Sequence, residues 1–322
     1  MTATVGPTTL PRPAIIAGVI VGALAVSTSA ILARLAMGDE PGITAAATPA
    51  DAPALAVAFW RTTMGAVLLA PVGWRAARRA QVRPTRQEHR WLALSGLALS
   101  LHFIGFQGAL ALTTVASAVT LTTMSPIFVA LAGWWFLREP TDRRTWVGMA
   151  LTIVGAVGIG AADLADLELG GRALLGDGLA LGAAIAVTGY LLIGRVARRR
   201  IPATTYSAIV FAWAGVLLLP VCLATGTPLV GFAPTTWLAL VGIVVGAQLL
   251  GHTVFNALLS SVSATTVAIV VLTEPVGAGI LAWVLLDELP AGWFWAGAPL
   301  VLLGVVIALA GRRPRPAPPP PG

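Results

Sequence analysis

Two ionisable residues lie in runs otherwise apolar enough for lipid. Glu274 sits with Pro275 near the centre of Thr265–Leu289, and Arg61 sits within 53–73. A charge at mid-bilayer costs about 3 kcal/mol on insertion scales, which makes each a functional-site candidate. A carboxylate there can hold a cationic group of a substrate or carry a proton. A guanidinium can hold a carboxylate through two parallel N–H bonds. His102 and His252 add imidazoles able to relay protons. Gln248, His252 and Asn256 follow at four-residue steps, so on a regular helix they form one polar face. Such a face must avoid lipid and line either a pore or a helix contact. Pro126 and Pro275 break helices and free a carbonyl one turn earlier, which makes them candidate hinges. Each reading has a plainer counterpart. Glu274 can simply partner Arg61 or a hydroxyl, Arg61 can anchor packing, an intramembrane His can bridge two helices, and a proline can be a fixed kink.

Other chemistries lack their residues. No phosphate-binding loop is present. Three His, one Cys and scattered acids show no metal-ligand spacing. The serines at 260–263 and Ser125 have no His/Asp partner arrangement legible in sequence. An enzyme is therefore not expected, nor a cofactor.

The elements that hold these residues are membrane spans. The chain of 322 residues is 57% hydrophobic and 10% charged, against about 25% charge in soluble domains. Ten apolar runs long enough for a bilayer fall near 14–35, 53–73, 91–112, 115–137, 145–162, 174–194, 203–223, 235–256, 264–286 and 292–311. The first is expected to be a retained span, since it exceeds a signal-peptide core. The net charge of +7 falls in short clusters between the runs, which marks orientation and excludes a nucleic-acid surface. With the N-terminus inside, seventeen of the twenty arginines are cytoplasmic, and Arg34 and Arg172 fall outside. The bias places both termini in the cytoplasm. Trp74, Trp91, Trp135, Trp146, Trp237, Trp293 and Trp295 fall at expected interfaces. Gly18/Gly22, Gly178/Gly182 and Gly242/Gly246 have the spacing of close helix contacts. Residues 312–322 read as a basic, proline-rich tail without fixed structure.

A shift of 149 residues lays Pro126 on Pro275, Leu137 on Leu286, Glu139 on Glu288, Gly148 on Gly297, Gly155 on Gly304 and Phe106-Gln107 on Phe255-Asn256. The repeat unit holds five spans. Because five is odd, the second copy enters from the opposite side, the inverted repeat of many secondary transporters. Glu274 falls on Ser125, so it lacks an acidic mate.

These features resemble the EamA family of the drug/metabolite transporter superfamily. The resemblance rests on Pro126…Leu137-Arg138-Glu139, Glu274-Pro275…Leu286-Asp287-Glu288, Phe59-Trp60-Arg61, and Gly176-Asp177-Gly178 through Tyr190 to Arg195. It implies an all-α integral membrane protein of ten transmembrane helices in two inverted five-helix repeats. The expected divisions are a cytoplasmic N-terminus 1–13, repeats 14–162 and 174–311, a loop 163–173 and a tail 312–322. It also implies an exporter of a small metabolite such as an amino acid or drug-like compound, in the inner membrane, as monomer or homodimer. Alternating access with protons as candidate coupling ion is expected. An uncoupled facilitator or channel is the alternative, followed by a membrane-embedded enzyme or assembly partner. The candidate pathway is Glu274, Arg61, His102, Gln248, His252 and Asn256.

Overall fold

The structure is a computed structural model and describes residues 10–38, 41–113, 115–164, 171–286 and 292–310. Asp39, Glu40, Asp287, Glu288 and the tail 312–322 lie outside the described residues. Among those described, every regular element is helical and there is no strand. Nine helices are long and apolar enough to cross a membrane, counted over the described residues alone. The chain is a multi-pass membrane protein.

The helices are α1 Arg12–Ser27, α2 Ser29–Met37, α3 Ala54–Arg79, α4 Arg86–Leu112, α5 Val115–Thr122, α6 Ser125–Leu137, α7 Arg143–Leu164, α8 Gly171–Ala197, α9 Ala203–Ala224, α10 Pro234–Ile243, α11 Thr253–Leu258, α12 Ala264–Val271, α13 Glu274–Leu286 and α14 Gly292–Leu309. A π-helical stretch, Val244–His252, joins α10 to α11. Local signals set several ends. Thr85 and Glu88 form a reciprocal capping box at the start of α4. Ser263 accepts from Thr266 N and starts α12. Arg138 stops α6 in the left-handed conformation, φ 52°.

Several expected single spans are divided. The first is interrupted at Thr28, between α1 and α2. The fourth is interrupted at Thr123–Met124 and the ninth at Leu272–Thr273, directly before Ser125-Pro126 and Glu274-Pro275. A proline has no N–H to close the preceding turn, and its ring crowds the carbonyl four residues back. Pro71, Pro220 and Pro299 lie inside helices that continue through them.

The bundle is assembled from extensive helix pairs: α3 with α9, α4 with α8, and α7 with α14, while α1 and α2 run along α10, the π stretch and α11. Small residues allow this closeness. A Cβ on Gly148 would lie 2.5 Å from the Gly304 carbonyl oxygen, and one on Gly155 would lie 2.6 Å from that of Gly297. Gly22 abuts the Phe255 ring and Gly246 abuts Thr28. Gly178 and Gly182 differ from expectation: nothing approaches within 4 Å of either added Cβ. Spacing alone does not tell which face of α8 meets a neighbour. Trp237 lies in the first turn of α10. It is partly buried and packs edge-on against Trp60, with centroids 5.2 Å apart. Trp74, Trp135, Trp293 and Trp295 are exposed on the outer surface.

Candidate functional site

Arg61 extends from α3 into the middle of the bundle and is 1% exposed. Its Nε donates to Gln248 Oε1 at 3.2 Å and its Nη1 donates to Ser29 Oγ at 3.4 Å. The guanidinium carbon lies 3.8 Å above the Phe103 ring centroid, a cation–π contact strengthened by the dry surroundings. A guanidinium has five N–H donors. Nη2 finds no acceptor among the described residues.

Glu274 is the first residue of α13 and is 9% exposed. Its Oε1 is buried and has no hydrogen-bond partner. Glu274 and Arg61 line the same cavity. They form no ion pair within 4.0 Å; the ion pairs among the described residues are Arg195–Glu139, Arg199–Glu139 and Arg200–Glu88. An unpartnered buried carboxylate oxygen is costly, more so than a neutral group's roughly 1–3 kcal/mol.

The cavity gives about 50 Å³ to the centres of water molecules, room for roughly three to five waters. His102 reaches it from α4 and His252 from the π stretch. His102 Nδ1 lies 3.0 Å from the Ala183 carbonyl oxygen. A carbonyl only accepts, so Nδ1 carries the proton and Nε2 is left as an acceptor. The His252 ring is set edge-on to Phe103, Tyr190 and His102, with centroids 5.3, 6.0 and 6.4 Å away. Ser125, the counterpart of Glu274 under the 149-residue shift, also lines the cavity.

The residues Gln248, His252 and Asn256 share a helix that is π-helical over Val244–His252, and they differ in what they touch. Only His252 borders the cavity. Gln248 lies behind Arg61 as its acceptor. Asn256 accepts from the Tyr190 hydroxyl at 2.7 Å and donates to Ser207 Oγ at 2.9 Å. Gln107, the residue shifted onto Asn256, is fully buried with neither amide atom paired. Sequence reasoning passed over Ser29 and Phe103. A serine and a phenylalanine in apolar helices are unremarkable until the fold brings them to Arg61.

Next to Asn256 the ends of several helices are tied together. Arg195 donates to the Leu259 carbonyl at 2.7 Å and pairs with Glu139 at 3.2 Å. Arg198 donates to the Asn256 carbonyl at 2.9 Å, and burial pushes its guanidinium down to about 10. Tyr206 lies 2.6 Å from Ser95 Oγ and donates to the Tyr190 carbonyl. At the opposite end Arg34 donates to the Leu110 carbonyl at 3.0 Å and Arg172 to the carbonyls of Pro41 and Ala111. Leu110, Ala111, Asn256 and Leu259 thus have carbonyls near helix C-termini that accept from arginines.

Comparison with known proteins points the same way. The model of the EamA-like transporter family matches residues 13–161 and 174–310. A protein of Archaeoglobus fulgidus named an uncharacterized transporter is 28% identical over 260 residues, 79% of this chain and 87% of that one. The pseudopaline exporter CntI of Pseudomonas aeruginosa is 26% identical over 80% of this chain and 86% of its own. A probable 4-amino-4-deoxy-L-arabinose-phosphoundecaprenol flippase subunit ArnE of Klebsiella pneumoniae is 30% identical over 112 residues, 33% of this chain and 99% of its own. A solved crystal structure superposes with a TM-score of 0.70 at 19% identity, over 92% of this chain and 97% of its own, which speaks for the fold alone. With both halves of the chain matched, this protein belongs to the EamA-like transporter family.

Proposed function

We propose that this protein is a secondary transporter that exports a small polar metabolite across the inner membrane by alternating access. The observation that carries the reading is the central cavity, which Glu274 and Arg61 both line without meeting in an ion pair. The substrate exchanges with protons or directly with solvent at these two residues. An amino acid or a drug-like compound of similar polarity is the substrate class. The names of the exporter and flippase relatives support movement of polar metabolites, and each name belongs to that relative.

The architecture in this reading is ten spans in two inverted repeats, with α7 as the fifth span; its 22 residues rise about 33 Å. Two sets of contacts support it. Gly148 meets Gly304 while Gly155 meets Gly297, and the 149-residue shift converts the first pair into the second. Reciprocal contacts of this kind are the mark of a two-fold relation. Arg34 caps Leu110 and Arg195 caps Leu259, and those two leucines are again 149 residues apart. The arginine bias sets Arg195 and both termini in the cytoplasm. The two halves then rock about the cavity, and the network of Arg195, Glu139, Tyr190 and Asn256 is the seal on the cytoplasmic side. Of the six candidate pathway residues, Glu274, Arg61, His102 and His252 face the substrate, while Gln248 and Asn256 support them.

Reconstitution in proteoliposomes tests this. Efflux of a candidate amino acid is expected to fall at least about tenfold in Glu274→Gln and in Arg61→Ala, one lost charge contact each. Full efflux in both variants, with unchanged pH dependence in Glu274→Gln, removes the pair from the mechanism.

A further inference from the structure

The polar groups of the cavity fall into two sets. Nitrogen-bearing side chains come from Arg61, His102 and His252, on α3, α4 and the π stretch. Oxygens come from the two helix breaks, Thr122, Thr123 and Ser125 from the first and Val271 and Glu274 from the second, while the Ser29 and Tyr190 hydroxyls are engaged with Arg61 and Asn256. The packing of α6 on α12 and of α13 on α5 sets the two breaks side by side.

The oxygens at these breaks are under-used. Pro126 and Pro275 have no N–H, so the carbonyls of Thr122 and Val271, four residues earlier, lose their helical donor. Under the 149-residue shift these two carbonyls are counterparts. The Ser125 hydroxyl borders the cavity and makes no hydrogen bond to the described residues. Thr123 Oγ1 donates to the Thr120 carbonyl at 2.7 Å and keeps its lone pairs. Glu274 Oε1 is buried without a partner. Arg61 does not satisfy it, being held by Gln248, Ser29 and Phe103.

One carboxyl group, two hydroxyls and two freed carbonyls form an all-oxygen set of the kind that hard cations take. Coordination by unwound backbone carbonyls at helix breaks is a known way to hold a cation in a membrane. We propose that the crossing of the two proline-broken helices is a binding site for one monovalent cation, with Glu274 as its charged ligand. The cation is either an alkali ion or the ammonium group of the substrate. Its role in transport rests on the reading above; the binding itself does not.

The experiment is a thermal-unfolding titration of the full-length protein in detergent. Sodium chloride and methylammonium chloride are compared with N-methylglucamine chloride at equal ionic strength. A saturable stabilisation by sodium assigns a free ion, and one by methylammonium alone assigns a substrate ammonium; both support the site. Ser125→Ala is expected to raise the half-saturating concentration about tenfold, the loss of one contact to a charged group. Glu274→Gln is expected to abolish the response. No saturable response to either cation overturns the proposal, as does a response unchanged in Ser125→Ala, which serves alone where Glu274→Gln does not fold. Efflux lost in Glu274→Gln with no cation response in wild type refutes the cation site and leaves the transport reading standing. A cation response with full efflux in Glu274→Gln does the reverse.

Discussion

Arg61 and Glu274 share one buried cavity and do not form an ion pair. In a dry interior opposite charges are strongly attracted, and a protein that needed only stability would let them meet. Here Arg61 is turned onto Gln248 and Phe103 instead, and Glu274 is left with a bare oxygen. The cost falls on the folded state, so Glu274→Gln is expected to stabilise the protein by about 1–3 kcal/mol while lowering efflux. Thermal unfolding and proteoliposome efflux on the same preparation check this. A variant both less stable and fully active is the opposite result.

Gln248 acts on the substrate through Arg61. Gln248→Leu removes the acceptor on Arg61 Nε and is expected to destabilise the fold by about 1–3 kcal/mol. It should also weaken substrate binding with a smaller effect on maximal rate. Gln248→Glu supplies Arg61 with a competing carboxylate and is expected to reduce affinity for carboxylate substrates most. A KM and maximal-rate comparison across the three proteins separates these effects.

The α7–α14 contact yields a paired test. Gly155→Ala places a Cβ 2.6 Å from the Gly297 carbonyl oxygen, against backbone that has no room to move. It is expected to cost about 1–3 kcal/mol through overpacking. Gly158→Ala, three residues on, meets nothing within 4 Å and is expected to be neutral or to gain up to about 1 kcal/mol from helix propensity. Melting temperatures of the two variants decide it.

The arginine network near Asn256 is expected to hold one end of the cavity shut. Glu139→Ala removes the partner of Arg195 and Arg199. In a Cys222→Ser background, alkylation of a reporter at Val187→Cys should then quicken several-fold from the cytoplasmic side. An unchanged rate assigns the network to packing alone.

Much of this was legible in the residues. Apolar runs broken by Arg clusters require membrane helices, because lipid leaves backbone groups no partner outside a helix or closed barrel. Glu274 and Arg61 stood out because a charge in such a run is expensive wherever the fold puts it. Pro126 and Pro275 marked their breaks because a missing N–H is a covalent fact. What the sequence could not decide was direction around each helix axis. Gln248, His252 and Asn256 read as one face, yet only His252 borders the cavity, while Gln248 accepts from Arg61 and Asn256 from Tyr190. Gly178 and Gly182 had the spacing of a contact and face none. Ser29 and Phe103 carried no signal, since their role exists only beside Arg61. The cost of burying a charge belongs to the residue itself, and the sequence shows it. Which partner offsets that cost depends on helix rotation and packing across up to 187 residues of chain, as between Arg61 and Gln248, and only the tertiary structure fixes those.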